Sequence, residues 1–199
     1  MEPLECSLSQ MMTLPDTERD LISRIAAGDA DALRELYDAY GQRLAAFAFR
    51  LTGDPAAADE VVQDTLLAVW QGGARRFRSE SRVIAWLLGI VHHKALDRLR
   101  RQRDLPLLDS NAPAEPLEDG PAAQAARRDQ HRLLQNGLEA LSMEHRTVLE
   151  LVFYQGLSLA EAAEVCACPV GTIKSRLAYA KTALRGALNR AGVSEKDVE

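Results

Sequence analysis

The 199-residue chain is long enough for one medium domain or two small ones, and its hydrophobic fraction of 47% permits a globular core. Aromatic residues make up only 5% of the chain, and alanine, leucine and arginine are frequent, a mixture that favours helix over strand. The net charge of −5 argues at first against nucleic-acid binding, and no apolar run approaches the roughly 20 residues that a membrane span requires.

Charge is segregated along the chain. Residues 16–38 are mainly acidic, residues 75–103 are strongly basic, residues 104–119 carry only acids, and residues 172–190 carry only bases. This division predicts basic binding faces together with acidic surfaces for other partners. The total charge therefore does not exclude nucleic acid as a partner.

Residues 1–16 are predicted to form a disordered tail. They lack the basic start and apolar stretch of a signal peptide, and an internal methionine there could be the true start. The chain has three cysteines, and because the number is odd and Cys166 and Cys168 are separated by one residue, they predict no disulfide framework. A reducing, cytoplasmic location is the simplest interpretation.

The first helical block is predicted over residues 17–103, with breaks at Gly41, around the Asp54-Pro55 pair and at residues 71–73. The Asp54-Pro55 pair is a strong helix start, because the aspartate caps the helix and the proline fits its first turn.

An amphipathic helix is predicted over residues 57–71. One face collects acidic and amide side chains and a leucine: Asp59, Glu60, Gln63, Asp64 and Leu67. For an isolated helix, a solvated acidic surface would be the ordinary interpretation of this face.

The next predicted helix, residues 81–102, carries a basic cluster. Its core side comprises Ile84, Leu87, Leu88, Val91 and Ala95. Its outer side and edges comprise Trp86, His93, Lys94, Asp97, Arg98, Arg100 and Arg101. An exposed tryptophan among bases fits stacking and phosphate binding on nucleic acid, and packing of Trp86 in the core is the equally weighted alternative.

Residues 104–124 contain four prolines, five acids and no base, and are predicted to be a flexible linker between domains. A second helical block follows at residues 125–191, with a C-terminal tail at 192–199. No strand-like alternation of any length occurs. The predicted fold class is all-α, with two small helical domains joined by the linker.

A helix-turn-helix is predicted near the C-terminus. Ser158 and Glu161 have capping-box spacing, residues 166–168 form a short turn, and Pro169 opens a second helix. On that second helix the core stripe is Ile173, Leu177, Ala180, Leu184 and Leu188. The outward face carries hydroxyls, an aromatic ring and flanking bases without an acid, which suits the DNA major groove. An ordinary solvated helix hairpin is the alternative on periodicity alone.

The string Cys168-Pro169-Val170-Gly171-Thr172-Ile173-Lys174-Ser175-Arg176-Leu177 resembles the recognition-helix start of extracytoplasmic-function (ECF) sigma factors of the RNA polymerase sigma-70 family. Residues 138–149 resemble the opening of the same domain, with Ser142 in place of the usual proline. The resemblance implies a domain that binds the −35 promoter element. It places DNA contacts at Thr172, Lys174, Ser175, Arg176, Ala178, Tyr179 and Lys181, with Arg176 assigned to a phosphate or to an internal pair.

Residues 59–70 resemble the segment with which the same family binds core polymerase, docking on a coiled coil of the β′ subunit. The resemblance assigns that role to Asp59, Glu60, Gln63, Asp64 and Leu67, whose acidic face suits a basic partner.

Residues 85–101 resemble the part of sigma factors that recognises and melts the −10 element, and the turn before them resembles the loop that captures a flipped base. An asparagine is common in the family where His93 stands. The residues implied are Arg78, Ser79, Arg82, Trp86, His93, Lys94, Asp97, Arg98, Arg100 and Arg101.

The sequence thus predicts an alternative sigma factor whose partners are the β′ and β subunits of core RNA polymerase, promoter DNA and an anti-sigma factor. No catalytic residue, metal or cofactor is predicted: His92 and His93 are adjacent on a helix and poor joint ligands. Two alternatives remain: a stand-alone helix-turn-helix regulator, which would not need the docking helix, and an anti-sigma or adaptor protein, which would not need the recognition face.

Overall fold

A computed structural model of the chain describes residues 14–77, 81–103 and 141–190, and all the regular secondary structure in these ranges is helical. The chain divides into two compact units, Met1–Ser110 and Asn111–Glu199. The predicted all-α class with two helical domains is confirmed, while the predicted linker at 104–124 lies outside the described residues. None of the described helices is long and apolar enough to cross a membrane.

The first unit is a bundle of four helices and a short helical turn. They are α1 (Leu14–Ala26), α2 (Ala30–Thr52), α3 (Pro55–Ala68), α4 (Ala74–Arg76) and α5 (Val83–Arg103), and a π-helical turn (Val69–Gly73) joins α3 to α4. Helices α2, α3 and α5 pack against one another, and α1 packs against α2 and α4. Their fully buried side chains include Leu36, Leu44, Phe47, Leu87, Leu88 and Val91.

Aspartate side chains begin two of these helices. Asp29 accepts hydrogen bonds from the backbone N–H groups of Asp31 and Ala32, and Asp54 accepts one from Ala56 at 3.0 Å, with Pro55 in the first turn of α3. Each such cap stabilises a helix by about 1 kcal/mol. The predicted helix start at the Asp54-Pro55 pair is confirmed, and it fixes where the outer face of α3 begins.

Gly41 was predicted to break a helix, and this prediction is wrong. Helix α2 runs through it without interruption. A Cβ atom at Gly41 would lie 2.7 Å from the ring of Tyr37. The glycine therefore accommodates a ring lying along the same helix, a packing role that outweighs its low helix propensity.

Two further predicted boundaries of the first block can be compared with the structure, one at its start and one at residues 71–73. Helix α1 begins at Leu14, inside the segment 1–16 predicted to be a tail. Pro15 is compatible with this start, because a backbone N–H in the first turn of a helix has no partner within the helix. The break predicted at residues 71–73 is present: Gly72 has a φ of +120°, which a glycine adopts without strain.

The second unit contains three helices in its described part. They are α6 (Met143–Leu149), which continues into a π-helical turn (Glu150–Tyr154), α7 (Leu159–Val165) and α8 (Val170–Arg190). Helix α8 packs against both α6 and α7. The buried side chains between them include Leu141, Val148, Leu151, Ala162, Val165, Ile173 and Ala180.

Helices α7 and α8 form the predicted helix-turn-helix, with the predicted capping box at the start of α7 and a short turn between the two helices. The backbone N–H of Glu161 donates to Ser158 Oγ at 3.2 Å, and the backbone N–H of Ser158 donates to Glu161 Oε2 at 2.8 Å, which completes the capping box. Ala167 turns the chain with a φ of +49°. Helix α8 begins at Val170, one residue after the predicted Pro169, whose carbonyl accepts the N–H of Thr172 at 2.9 Å.

Candidate functional sites

The outer face of α3 is a continuous exposed surface. Its inner face is buried through Ala57, Ala58, Val61, Val62 and Thr65. The five residues predicted to bind polymerase are all exposed on the other side: Asp59, Glu60, Gln63, Asp64 and Leu67. Leu67 is 50% exposed and Trp70, in the π-helical turn that follows α3, is 39% exposed, so apolar surface lies beside the acidic groups. Acidic groups around an apolar centre suit a basic protein partner.

One residue of this face is already engaged within the unit. The Glu60 carboxylate forms an ion pair with Arg98 of α5, whose side chain is 30% exposed. The pair joins a residue predicted to bind polymerase to a residue predicted to bind DNA. Sequence reasoning missed it, because the two residues are 38 positions apart and no local pattern connects them.

The core side of α5 is as predicted: Ile84, Leu87, Leu88, Val91 and Ala95 are all buried. Trp86 lies at the rim of this core. It is half-buried, and its ring packs against Phe77 with centroids 4.9 Å apart and planes tilted by 51°. This position is compatible with both alternatives for Trp86, packing in the core and stacking on nucleic acid, since part of the ring is packed and part is exposed to solvent.

The other predicted −10 residues are spread along α5 and its approach. Arg82, His93, Asp97, Arg100 and Arg101 are exposed, and Lys94 and Arg98 are half-buried. His93 Nδ1 donates to the Gly89 carbonyl at 2.7 Å, and Arg100 and Asp97 form an ion pair at 3.7 Å. Arg78 and Ser79 lie outside the described residues.

The outer face of α8 is exposed where the sequence predicted it. Lys174, Ser175, Ala178, Tyr179 and Lys181 are exposed, and Thr172 is half-buried. The opposite stripe is buried at Ile173 and Ala180 and half-buried at Leu177 and Leu184. Tyr179 is 61% exposed, so most of its ring is accessible to a partner. The face carries no acid along 170–190, so its local potential is positive.

Three side chains of α8 are contacted from α6 and its π-helical turn. Arg176 pairs with Glu144 at 2.7 Å, the Tyr179 ring stacks on His145 with centroids 4.4 Å apart, and Lys181 Nζ lies 5.1 Å above the Phe153 ring. Of the two assignments for Arg176, its contact with Glu144 supports the internal pair. The contacting residues Glu144, His145 and Phe153 were not predicted as functional, because these contacts are long-range.

The cysteines of the turn are half-buried, and burial raises the pKa of Cys166 to about 11. Cys166 is therefore a protonated thiol at neutral pH, which makes it a poor nucleophile and metal ligand. Among the residues that the structure describes, no three His, Cys, Asp or Glu side chains come together as a metal site. The candidate sites are therefore the exposed faces of α3 and α8 and the Trp86–Phe77 pair at the edge of the α5 core.

Comparison with known families matches two parts of the chain. Residues 36–104 match the family Sigma-70 region 2, and residues 137–186 match the family Sigma-70, region 4. The first match contains α3 and α5, and the second contains α7 and α8 as far as residue 186. The candidate faces therefore lie inside the matched segments.

Individual proteins extend the match over most of the chain. The ECF RNA polymerase sigma factor SigL from Mycobacterium tuberculosis is 35% identical over 87% of this chain and 98% of its own length. SigK from Mycobacterium sp. is 29% identical over 94% of this chain. Among solved structures, CnrH in complex with the cytosolic domain of CnrY has a TM-score of 0.65, 27% identity and 88% coverage of this chain. The sigma factor RpoE in complex with the anti-sigma factor NepR, from Bartonella quintana, has a TM-score of 0.63, 28% identity and 78% coverage.

Proposed function

The chain belongs to the ECF sigma factors of the sigma-70 family, and from that premise we propose how its exposed faces divide the work of promoter-specific transcription initiation. As an alternative sigma factor it binds core RNA polymerase and directs it to promoters. The observation that carries the assignment of residues is the exposed, acid-free face of α8 in a complete helix-turn-helix.

That face is assigned to the −35 element. Ser175, Ala178 and Tyr179 are exposed along the middle of the helix, where they are available to base edges in the major groove. Lys174 and Lys181 flank them and are assigned to phosphates, which position the helix without reading sequence. Arg176 is assigned to the pair with Glu144 and therefore holds α8 to α6 instead of contacting DNA.

The acidic face of α3 is assigned to core polymerase. Asp59, Gln63 and Asp64 supply charge and hydrogen-bonding groups, and Leu67 supplies the apolar centre. Glu60 contributes less to docking than its neighbours, because its carboxylate is already neutralised by Arg98.

The outer side of α5 is assigned to the −10 element. Arg82, Arg100 and Arg101 attract the phosphate backbone, and the exposed part of Trp86 offers a surface on which an unpaired base stacks. His93, whose Nδ1 is held by Gly89, presents its remaining nitrogen to the DNA. Arg78 and Ser79 belong to the same assignment by resemblance alone.

Regulation and location complete the proposal. The solved relatives were captured with CnrY and with the anti-sigma factor NepR, and we propose that an anti-sigma factor also holds this chain inactive. We place the chain in the cytoplasm, where core polymerase works. It performs no chemistry itself, since nucleotide transfer belongs to the core enzyme.

Reconstituted transcription tests the proposal. Core polymerase is mixed with the full chain and a fragment library of the native genome, and the starts of the transcripts are mapped. We expect starts that share a −35 and a −10 sequence and that core polymerase alone does not make. Transcripts without a shared −35 sequence, or no complex between the chain and core, would contradict the proposal.

Single substitutions then separate the faces. Asp64→Lys is expected to abolish binding to core, and Lys174→Ala to weaken initiation only at promoters that depend on a −35 element. Arg34→Ala is a matched control, because it also removes a base, from an exposed arginine of α2 that pairs with Asp31 and belongs to neither face. Equal effects of Lys174→Ala and Arg34→Ala would overturn the assignment of α8.

A further inference from the structure

The rings of His145 and Tyr179 stack on one another in the second unit. The centroids are 4.4 Å apart and the planes differ by 26°, so the two rings lie nearly parallel. His145 lies in the first turn of α6, 34 residues before Tyr179 in the chain. The contact therefore fixes a side chain of the recognition helix from another helix.

His145 is itself held in place. Its Nδ1 lies 2.7 Å from Ser142 Oγ, so the imidazole is tied to the residue that precedes α6. The neighbouring Glu144 bonds Arg176 at 2.7 Å, and Arg176 lies one turn before Tyr179 on α8. The start of α6 thus contacts α8 at two consecutive turns, through an ion pair and a ring stack.

Tyr179 requires such a support if it reads DNA. It is 61% exposed, and an exposed tyrosine samples several rotamers in the free protein. Immobilising a side chain on binding weakens affinity roughly 2- to 10-fold. A ring that is already held by its neighbour avoids most of that loss and contacts a defined base position.

We propose that His145 is a positioning residue for −35 recognition: it stacks on Tyr179 and holds the phenol in the orientation that discriminates the DNA sequence. The inference rests on the proposed function of α8. It adds a specificity determinant outside the recognition helix, on the first turn of α6.

The test is a double-mutant cycle on the holoenzyme. Wild-type holoenzyme first selects promoters from duplex DNA that is randomised over the −35 segment. The readout is the ratio of affinities for a selected promoter and for the same promoter with its −35 segment scrambled. The ratio is measured for wild type, His145→Ala, Tyr179→Ala and the double variant.

His145→Ala is expected to lower the ratio roughly 2- to 10-fold and to leave affinity for the scrambled promoter unchanged. In the Tyr179→Ala background it is expected to have no further effect, because the ring that it positions is gone. His145→Phe, which keeps a stacking ring, is expected to restore the ratio to within about 2-fold of wild type. A general structural role would not give this pattern.

Two controls keep the result interpretable. Phe153→Ala removes a different ring that contacts α8, through Lys181 and not Tyr179, and is expected to leave the ratio unchanged. If circular dichroism shows that His145→Ala does not fold, the affinity ratio is compared instead between His145→Leu, which loses the ring, and His145→Phe, which keeps a ring of similar size.

The inference would be overturned if His145→Ala kept the wild-type affinity ratio, or if it lowered the ratio equally in the presence and in the absence of Tyr179. Either result would leave the proposed function intact. Failure of the wild-type holoenzyme to enrich any −35 sequence would instead overturn the proposed function, and this inference with it.

Discussion

Helices α5 and α8 are both candidate DNA-binding helices, and each is supported in the same two ways. A half-buried arginine on each pairs with an exposed glutamate of a neighbouring helix: Arg98 with Glu60, and Arg176 with Glu144. Each also has an aromatic pair. The pairs differ in exposure, since Trp86 is half-buried against Phe77, whereas Tyr179 is 61% exposed against His145.

The difference indicates a division of roles. The Trp86 ring contributes to the core of the first unit as well as to its surface, so stability and the proposed DNA contact would be combined there. Tyr179 adds little to the core, and its ring is available for recognition. The stability of the protein should therefore respond differently to removal of the aromatic residue on each of the two candidate helices.

The largest effect is expected from Trp86→Ala. Removal of a fully buried aromatic ring costs about 3–5 kcal/mol, so a half-buried ring should cost about 2 kcal/mol of unfolding free energy. Tyr179→Ala should lower the unfolding free energy by no more than about 1 kcal/mol, since the stack on His145 is what it loses. Urea denaturation of the full chain followed by circular dichroism measures both. Equal losses in the two variants would remove the distinction between the helices.

The second prediction separates two bases on α8. Lys174→Ala should reduce the slope of log affinity against log salt by about 0.9, because one phosphate contact is lost. Arg176→Ala removes an equal charge but should leave the slope unchanged, since Arg176 is bonded to Glu144. Holoenzyme affinity for a selected promoter over a salt series gives the slopes. A reduced slope in Arg176→Ala would place that arginine on a phosphate.

The third prediction concerns the corresponding pair in the first unit. Asp64→Asn should weaken binding to core polymerase several-fold, whereas Glu60→Gln should weaken it less, because Arg98 already neutralises Glu60. The ion pair is partly exposed, so its loss should cost no more than about 1 kcal/mol of stability. Binding titrations with core polymerase compare the two variants. A greater loss in Glu60→Gln would mean that docking breaks the pair.

The smallest effect is a pH dependence of the second unit. The pKa of Cys166 is raised to about 11 by burial, so its neutral form is favoured in the folded state. The stabilisation is complete below the ordinary thiol pKa of about 9 and is lost as pH rises towards 11. Between about pH 8 and pH 10, the free energy of unfolding of wild type should therefore fall more than that of Cys166→Ala. Denaturation of both proteins at the same series of pH values measures this difference. Parallel curves would show that the thiol is not desolvated.

Local chemistry explains what was predictable from the sequence. The caps at Asp54 and Ser158, the buried stripe of α5 and the exposed faces of α3 and α8 all follow from residue spacing along one helix. The 3.6-residue period determines which side chains share a face, and a cap needs only its own first turn.

Contacts between helices were not predictable in this way. The Glu60–Arg98 pair and the His145–Tyr179 stack each join residues more than 30 positions apart, and no pattern in one helix specifies the partner. Such long-range contacts determine which predicted surface residues are free to bind.

Site-specific photocrosslinking in the promoter complex tests the central claim most directly. A photoreactive phenylalanine derivative replaces Tyr179 in one variant and His93 in another, and the crosslinked bases are mapped in complexes with core polymerase and a selected promoter. The account predicts crosslinks in the −35 element from position 179 and in the −10 element from position 93. Crosslinks from both positions to one element, or none from position 179, would contradict it.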